Sequence, residues 1–181
     1  MARIIVTEFV SLDGVMEAPG GGGGYKHGGW TFKINRGAEG DKFKLDETLS
    51  TEALLLGRKT YEDFAKAWPS MKGEFADKFN SMPKYVVSST LRKPSWNKTT
   101  VLTGDVVKEV TRVKEQLKGD IVVHGSARLA QTLLEHDLVD ELHLMSEKRL
   151  FGETSDKKSY RLVESKVVGE GVSILILRPA G

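Results

Sequence analysis

A short, wholly apolar run that stops at a glycine and passes straight into a basic, helix-forming segment narrows the choice of folds for this chain. Ala53-Leu54-Leu55-Leu56 is such a run, and Gly57 ends it. Consecutive apolar residues without alternation suit a central strand covered on both faces. Beyond it Tyr61, Phe64, Ala65 and Trp68 recur at helical spacing, with Thr60 placed as N-cap and Asp63 three positions on, a variant of the capping box. Gly57 lets the backbone come close to a ligand, while Arg58 and Lys59 stand beside the unpaired N–H groups and positive dipole end of the helix. That combination suits an anion, phosphate above all. An ordinary strand-turn-helix junction with two solvated basic side chains would carry the same letters, so the remaining segments have to decide.

The same grammar recurs along the chain. Arg3–Val10 is rich in β-branched residues and stops at Ser11-Leu12-Asp13-Gly14, so Asp13 is expected at the carboxyl end of a strand, where open α/β sheets place ligands; an Asp before Gly is also a common turn residue. Lys84–Ser88 reads as a strand running into Ser88-Ser89-Thr90 with Arg92 close behind. Thr99–Leu102 reads as another, followed by Asp105 as cap of a helix whose stripe is Val106, Val107, Val110, Val113 and Leu117. Asp120–His124 then enters Gly125-Ser126-Ala127-Arg128 and a helix with Leu129, Ala130, Leu133 and Leu134 inward. Gly125 and Ser126 let a diphosphate approach the amides, although the spacing is not Gly-x-Gly-x-x-Gly. Strand and helix alternate, which predicts a mostly parallel sheet with helices on both faces.

Residues 38–49 suit a modest helix with apolar positions Phe43, Leu45 and Leu49 and with acids Glu39, Asp41, Asp46 and Glu47, most of them solvated. The glycine-rich stretch from Pro19 to Trp30 reads either as a lid or as a surface loop with Trp30 plugging the core. Glu141–Met145, Ser159–Val167 and Val172–Arg178 read as strands joined by turns, expected to pair antiparallel as an edge extension of the same sheet.

Composition removes several classes of function. With 181 residues, 1–181 is expected to be a single domain. Its 27 basic residues against 25 acidic ones leave a net charge of +2, so neither nucleic acid nor an anionic membrane is an expected partner. There is no cysteine, hence no disulfide, thiolate metal site or cysteine nucleophile. His27, His124, His136 and His143 lack metal-ligand spacing, and neither a Gly-x-Ser-x-Gly elbow nor a phosphate loop occurs. No apolar stretch reaches membrane-spanning length, and Met1–Phe9 reads as a strand rather than a signal peptide, so the protein is expected to be soluble and cytoplasmic.

Val10-Ser11-Leu12-Asp13-Gly14, Leu56-Gly57-Arg58-Lys59-Thr60-Tyr61-Glu62, Val87-Ser88-Ser89 and His124-Gly125-Ser126-Ala127-Arg128-Leu129, running on to Leu138-Val139-Asp140-Glu141-Leu142 and then Lys148-Arg149-Leu150-Phe151-Gly152, together resemble the dihydrofolate reductase superfamily. The closer resemblance is to the branch of the riboflavin-biosynthesis reductase domain and its stand-alone relatives. It implies a dihydrofolate reductase-like three-layer α/β/α fold, with a mixed, mostly parallel sheet and antiparallel C-terminal strands, and NADPH as cofactor of a homodimer. It also implies that Arg58, with Lys59, Ser88, Ser89 and Arg92, holds the 2'-phosphate, and that Gly125, Ser126, Ala127 and Arg128 hold the diphosphate. Gly57, Thr60 and His124 belong to the same cofactor turns. Many members of the branch have a glycine where Ser126 stands.

The carboxylate with which dihydrofolate reductases orient the pterin has no firm counterpart here, since Glu39 and Asp41 lie on the right helix at a different spacing from Gly57; folate is therefore not the expected substrate. The resemblance implies hydride transfer to a small heterocyclic, pyrimidine- or pteridine-like, or sugar-derived substrate faced by Asp13 and Trp30, with the proton coming from Asp13, Glu39 or water. The alternative is a nucleotide-binding module without catalysis, serving as a sensor or partner. Between Met145 and Ser146 the family's Pro-containing segment and Leu-Gly-x-Gly turn are missing. Either the chain has lost them, or a mobile loop there is passed over in the numbering, which is the expectation.

Overall fold

The computed structural model describes residues 1–22, 24–33, 35–147, 149–150, 158–168 and 172–179. They fall into two compact units, Met1–Glu8 with Ile34–His143, and Phe9–Lys33 with Leu144–Gly181. In chain order the elements are β1 (Ile4–Ser11), α1 (Gly37–Ser50), β2 (Thr51–Gly57), α2 (Arg58–Ala67), α3 (Glu74–Ser81), β3 (Lys84–Val87), β4 (Thr99–Leu102), α4 (Val106–Gln116), β5 (Asp120–Val123), α5 (Ala127–Glu135) and β6 (Glu141–Glu147). These six strands form one sheet in the order β4-β3-β2-β5-β1-β6. The pairs β1–β5, β2–β5, β2–β3 and β3–β4 are parallel; helices lie in the connections of the first three, and β3 and β4 are joined by the helix-free segment 88–98.

The run at β2 is buried because both its faces are covered. Leu55 joins Ile4, Val6, Ile121 and Val123 under α4 and α5, while Leu54 and Leu56 pack on the other face with Tyr61, Phe79 and Trp96. The fold class is the expected dihydrofolate reductase-like α/β arrangement, with a mostly parallel sheet. Asp105 caps α4 as expected, accepting from the Lys108 N–H at 2.9 Å.

Three local expectations are corrected. First, α2 starts at Arg58 with Gly57 as N-cap, so Thr60 lies inside the first turn and caps nothing; Gly57 leaves the strand in an extended conformation and the helix begins at the next residue. Second, α1 turns its polar side inward. Lys44, Glu47 and Thr48 are its buried residues, whereas Phe43 and Leu49 are 47% and 38% exposed. The reason is that the Lys44 ammonium meets Thr7 of β1 and pairs with Glu47.

Third, among the described residues the C-terminal strands form a sheet of their own rather than an edge of the large one. β7 (Arg149–Leu150), β8 (Lys158–Val168) and β9 (Val172–Pro179) form an antiparallel sheet of their own, ordered β7-β8-β9. β8 and β9 are neighbours in sequence and pair from Val168–Val172 to Tyr160–Pro179, so a local hairpin ladder satisfies their backbones. β6 (Glu141–Glu147) runs through Met145 and Ser146. Gly23, Lys148, Phe151 and Gly152, which entered the sequence reading, lie outside the described residues.

In the second unit the turn after β1 is closed by Ser11, whose hydroxyl donates to Asp13 at 2.5 Å and accepts from the Val15 N–H. Trp30 is fully buried, and its indole N–H donates to the Glu17 carbonyl at 3.0 Å.

Candidate active site

β2 and β5 are adjacent, but the chain leaving β2 goes outward to β3, whereas the chain leaving β5 passes β1 to reach β6. Their carboxyl ends therefore flank a topological switch point, where open α/β sheets leave a crevice for a ligand. Two turns meet at that place. The Gly57 N–H donates to the Gly125 carbonyl at 3.2 Å, and a Cβ on Gly57 would stand 2.3 Å from Ser126 Oγ. Any side chain there would displace Ser126. Gly125 has φ +107°, and a Cβ on it would come within 3.0 Å of Thr60 Oγ1.

Helices α2 and α5 both begin at these turns, and neither has a side-chain cap. Their first-turn N–H groups are thus left for an anion or water. Arg58, Lys59 and Arg128 are exposed around them, with Arg58 reaching both Glu62 oxygens at 2.9 and 3.1 Å. At the end of β3, Ser88 Oγ accepts from the Thr90 and Leu91 N–H groups, so it shapes its turn, and Ser89 and Arg92 are exposed beyond it. Two uncapped helix ends, a glycine contact and a surround of cations suit a ligand with more than one phosphate.

A second group of polar side chains lies beside these turns, and the sequence reading did not find it. The register pairs Ile4 with Ile121, Ile5 with Val122 and Val6 with Val123; beyond it Thr7 and Glu8 follow on β1, and Glu8 Oε1 lies 3.6 Å from the position of a Cβ on Gly125. Glu8 is only 7% exposed and its Oε1 has no hydrogen-bond partner. Burial pushes its carboxyl up to about 8, partly offset by Lys44. From α1, Lys44 donates to Thr7 Oγ1 at 2.7 Å and to Glu47 at 2.5 Å, and Glu47 Oε1 lies 2.7 Å from His143 Nδ1. Burial works to raise Glu47, but the Lys44 ammonium and the hydrogen bonds from Lys44 and His143 hold it below the usual carboxylate range. His124, packed against Phe64 and Phe79, is pushed down to about 3 by burial and by Lys44, so it is neutral.

The sequence candidates are thus distributed. Gly57, Arg58, Lys59, Thr60, His124, Gly125, Ser126, Ala127 and Arg128 gather at the two abutting turns of the first unit. Asp13 is exposed, Trp30 is buried within its loop, and Glu39 is exposed in the first turn of α1. Among the described residues no cluster of histidines and acids could hold a metal ion.

Residues 2–174 match the profile of the RibD C-terminal domain. The chain belongs to the RibD C-terminal domain family. Uncharacterized protein YyaP of Bacillus subtilis (strain 168) is 25% identical to this RibD C-terminal domain protein over 182 residues, spanning 94% of this chain and 91% of its own. Among solved structures, a protein of Shewanella sp. PV-4 assigned to riboflavin biosynthesis aligns over 100% of both chains with a TM-score of 0.63 and 19% identity. Dihydrofolate reductase from Enterococcus faecalis, complexed with NADP(H), aligns over 97% of this chain and 92% of its own with a TM-score of 0.51 and 13% identity. At those identities the likeness is one of fold.

Proposed function

We propose that this RibD C-terminal domain protein is an NADPH-dependent reductase that transfers a hydride to a small heterocyclic, pyrimidine- or pteridine-like, or sugar-derived substrate. The supporting observation is the contact of the Gly57 and Gly125 turns at the switch point, with the uncapped ends of α2 and α5 on either side. In this reading the backbone from Gly125 to Arg128 holds the diphosphate, and Arg58, Lys59, Ser89 and Arg92 surround the 2'-phosphate, with Ser88 fixing the turn that carries Ser89. The nicotinamide, when bound, supplies the hydride. The chain supplies orientation and exclusion of water, and the neutral His124 ring, packed against Phe64 and Phe79, gives the cofactor turn an uncharged wall. The same reading takes 1–181 as one functional domain, working in the cytoplasm as a homodimer without nucleic acid or membrane partners.

Titration with NADPH and NADH, followed by NADPH oxidation against a panel of pyrimidines, pteridines and flavins, tests it. Tighter binding of NADPH and its oxidation with one of the panel are the expected results. Equal, weak binding of both cofactors would remove the reading, and tight NADPH binding without oxidation of any kind would leave the sensor or partner module instead.

A further inference from the structure

The segment that joins β3 to β4, residues 88–98, crosses over without a helix and is pinned from within. Trp96 is its anchor and is only 3% exposed; its backbone N–H donates to Tyr61 Oη of α2 at 3.0 Å and its indole N–H to Asn80 Oδ1 at 2.8 Å. Lys84, fully buried, lies 4.2 Å over the same ring and donates to the Asn80 carbonyl at 2.9 Å and to Asn97 Oδ1 at 3.1 Å. Buried polar groups satisfied in this way hold a segment in one place. Between that segment and α2 lies a groove of about 270 Å³. We propose that this groove is a ligand site, separate from the turns at Gly57 and Gly125, for a small phosphate monoester that carries one ring.

The lining selects that chemistry. Ala65 of α2 and Leu91 of the segment supply its apolar part, against which a ring can lie. Lys66 on the α2 side and Lys93 on the segment side supply two exposed ammonium groups, and among the described residues neither has a hydrogen-bond or ion-pair partner. Glu62 is the one acid among the described lining residues, and Arg58 takes its carboxylate at 2.9 and 3.1 Å. The neighbouring chain does not offset the cations, since residues 78–104 hold Lys78, Lys84, Arg92, Lys93 and Lys98 and no Asp or Glu. Two unpaired cations from two walls suit a dianion better than a single carboxylate, and the Ser95 hydroxyl adds a neutral donor. The volume takes a phosphorylated ring but not a dinucleotide, which sets this ligand apart from NADPH. Lys66, Lys93 and Ser95 take no part in the cofactor turns, so the site does not depend on what those turns bind.

Amide NMR spectra of the whole protein with phenyl phosphate, inorganic phosphate and benzoate as probes, at about pH 7.5 where phosphate monoesters are mostly dianions, test the site. Phenyl phosphate should shift the amides of Ala65, Lys66, Leu91, Lys93 and Ser95. It should bind at least about tenfold more tightly than the other two, because inorganic phosphate lacks the ring and benzoate the second charge. Lys66→Ala combined with Lys93→Ala should weaken phenyl phosphate by about tenfold or more while NADPH Kd stays within about twofold. Both side chains are exposed, so the double variant keeps the fold, which its amide spectrum outside the groove reports. Absence of the shifts, shifts confined to the surroundings of Arg58 and Arg128, or equal affinity in the double variant would overturn the site. Inorganic phosphate binding as tightly as phenyl phosphate would mean an adventitious ion only, and a parallel loss of NADPH affinity would make the groove part of the cofactor site; either result removes the proposal. A wild type that takes phenyl phosphate in the groove but binds no NADPH would overturn the reductase reading and leave this site in place.

Discussion

At the scale of single residues, burial of Glu8 carries a cost that depends on pH. Its carboxyl ordinarily titrates at 4.5 and here at about 8, so between those values the folded chain holds a proton that the unfolded chain has released. Stability from this group is therefore complete below the lower value and is lost as pH rises through the window, by an upper bound of about 5 kcal/mol. Urea midpoints of the wild type should fall between about pH 5 and about pH 8, and those of Glu8→Gln should change less; parallel curves would show that Glu8 ionises freely. Arg58 belongs to the same scale. If it pairs with the 2'-phosphate, Arg58→Ala weakens NADPH by roughly 1.5 to 3 kcal/mol and leaves NADH nearly untouched, because only the charge-assisted contact is removed. Parallel calorimetric titrations of both cofactors measure this, and an equal loss for each would free Arg58 of the role. Arg58 was legible in the sequence because basic residues after Gly57 sit at a helix start. Glu8 was not, since one acid in a β-branched run reads as an outward position until both faces of β1 are known to be covered.

Among the elements, α1 and α4 behave in opposite ways. The α4 stripe and its Asp105 cap follow from local spacing, and Asp105→Ala should cost about 1 kcal/mol, seen as a lower urea midpoint with an unchanged slope. The α1 face is set by partners distant in sequence. Thr7 lies on β1 and His143 on β6, and they draw Lys44 and Glu47 inward against the ordinary preference of Phe43 and Leu49 for burial. No periodicity within residues 38–49 announces that. The two glycine turns are coupled as elements too. Gly57→Ala forces a methyl group against Ser126 Oγ and should cost about 1–3 kcal/mol. In a Ser126→Ala background the cost should be smaller, since the nearest obstructing atom is gone. Denaturation of the two single variants and the double variant gives the coupling, and strict additivity would mean that the turns do not bear on each other.

On the scale of the whole molecule, the alternation of strands and helices was legible, and with it the parallel sheet. The strand order was not, because hydrophobic pattern tells a chain which faces to bury but not which strand lies beside which. That order places β5 between β2 and β1, and the consequence concerns synthesis on the ribosome. β1 emerges first, yet its parallel partner β5 emerges only after β2, β3 and β4, which pair with one another, have emerged. Until residues 120–123 leave the exit tunnel, the apolar Ile4, Ile5 and Val6 have no strand on that side, and the bond from Gly57 to Gly125 cannot close. Nascent chains ending before β5 are thus the ones most in need of a chaperone, and the corner where the Gly57 and Gly125 turns meet is among the last parts of the first unit to exist.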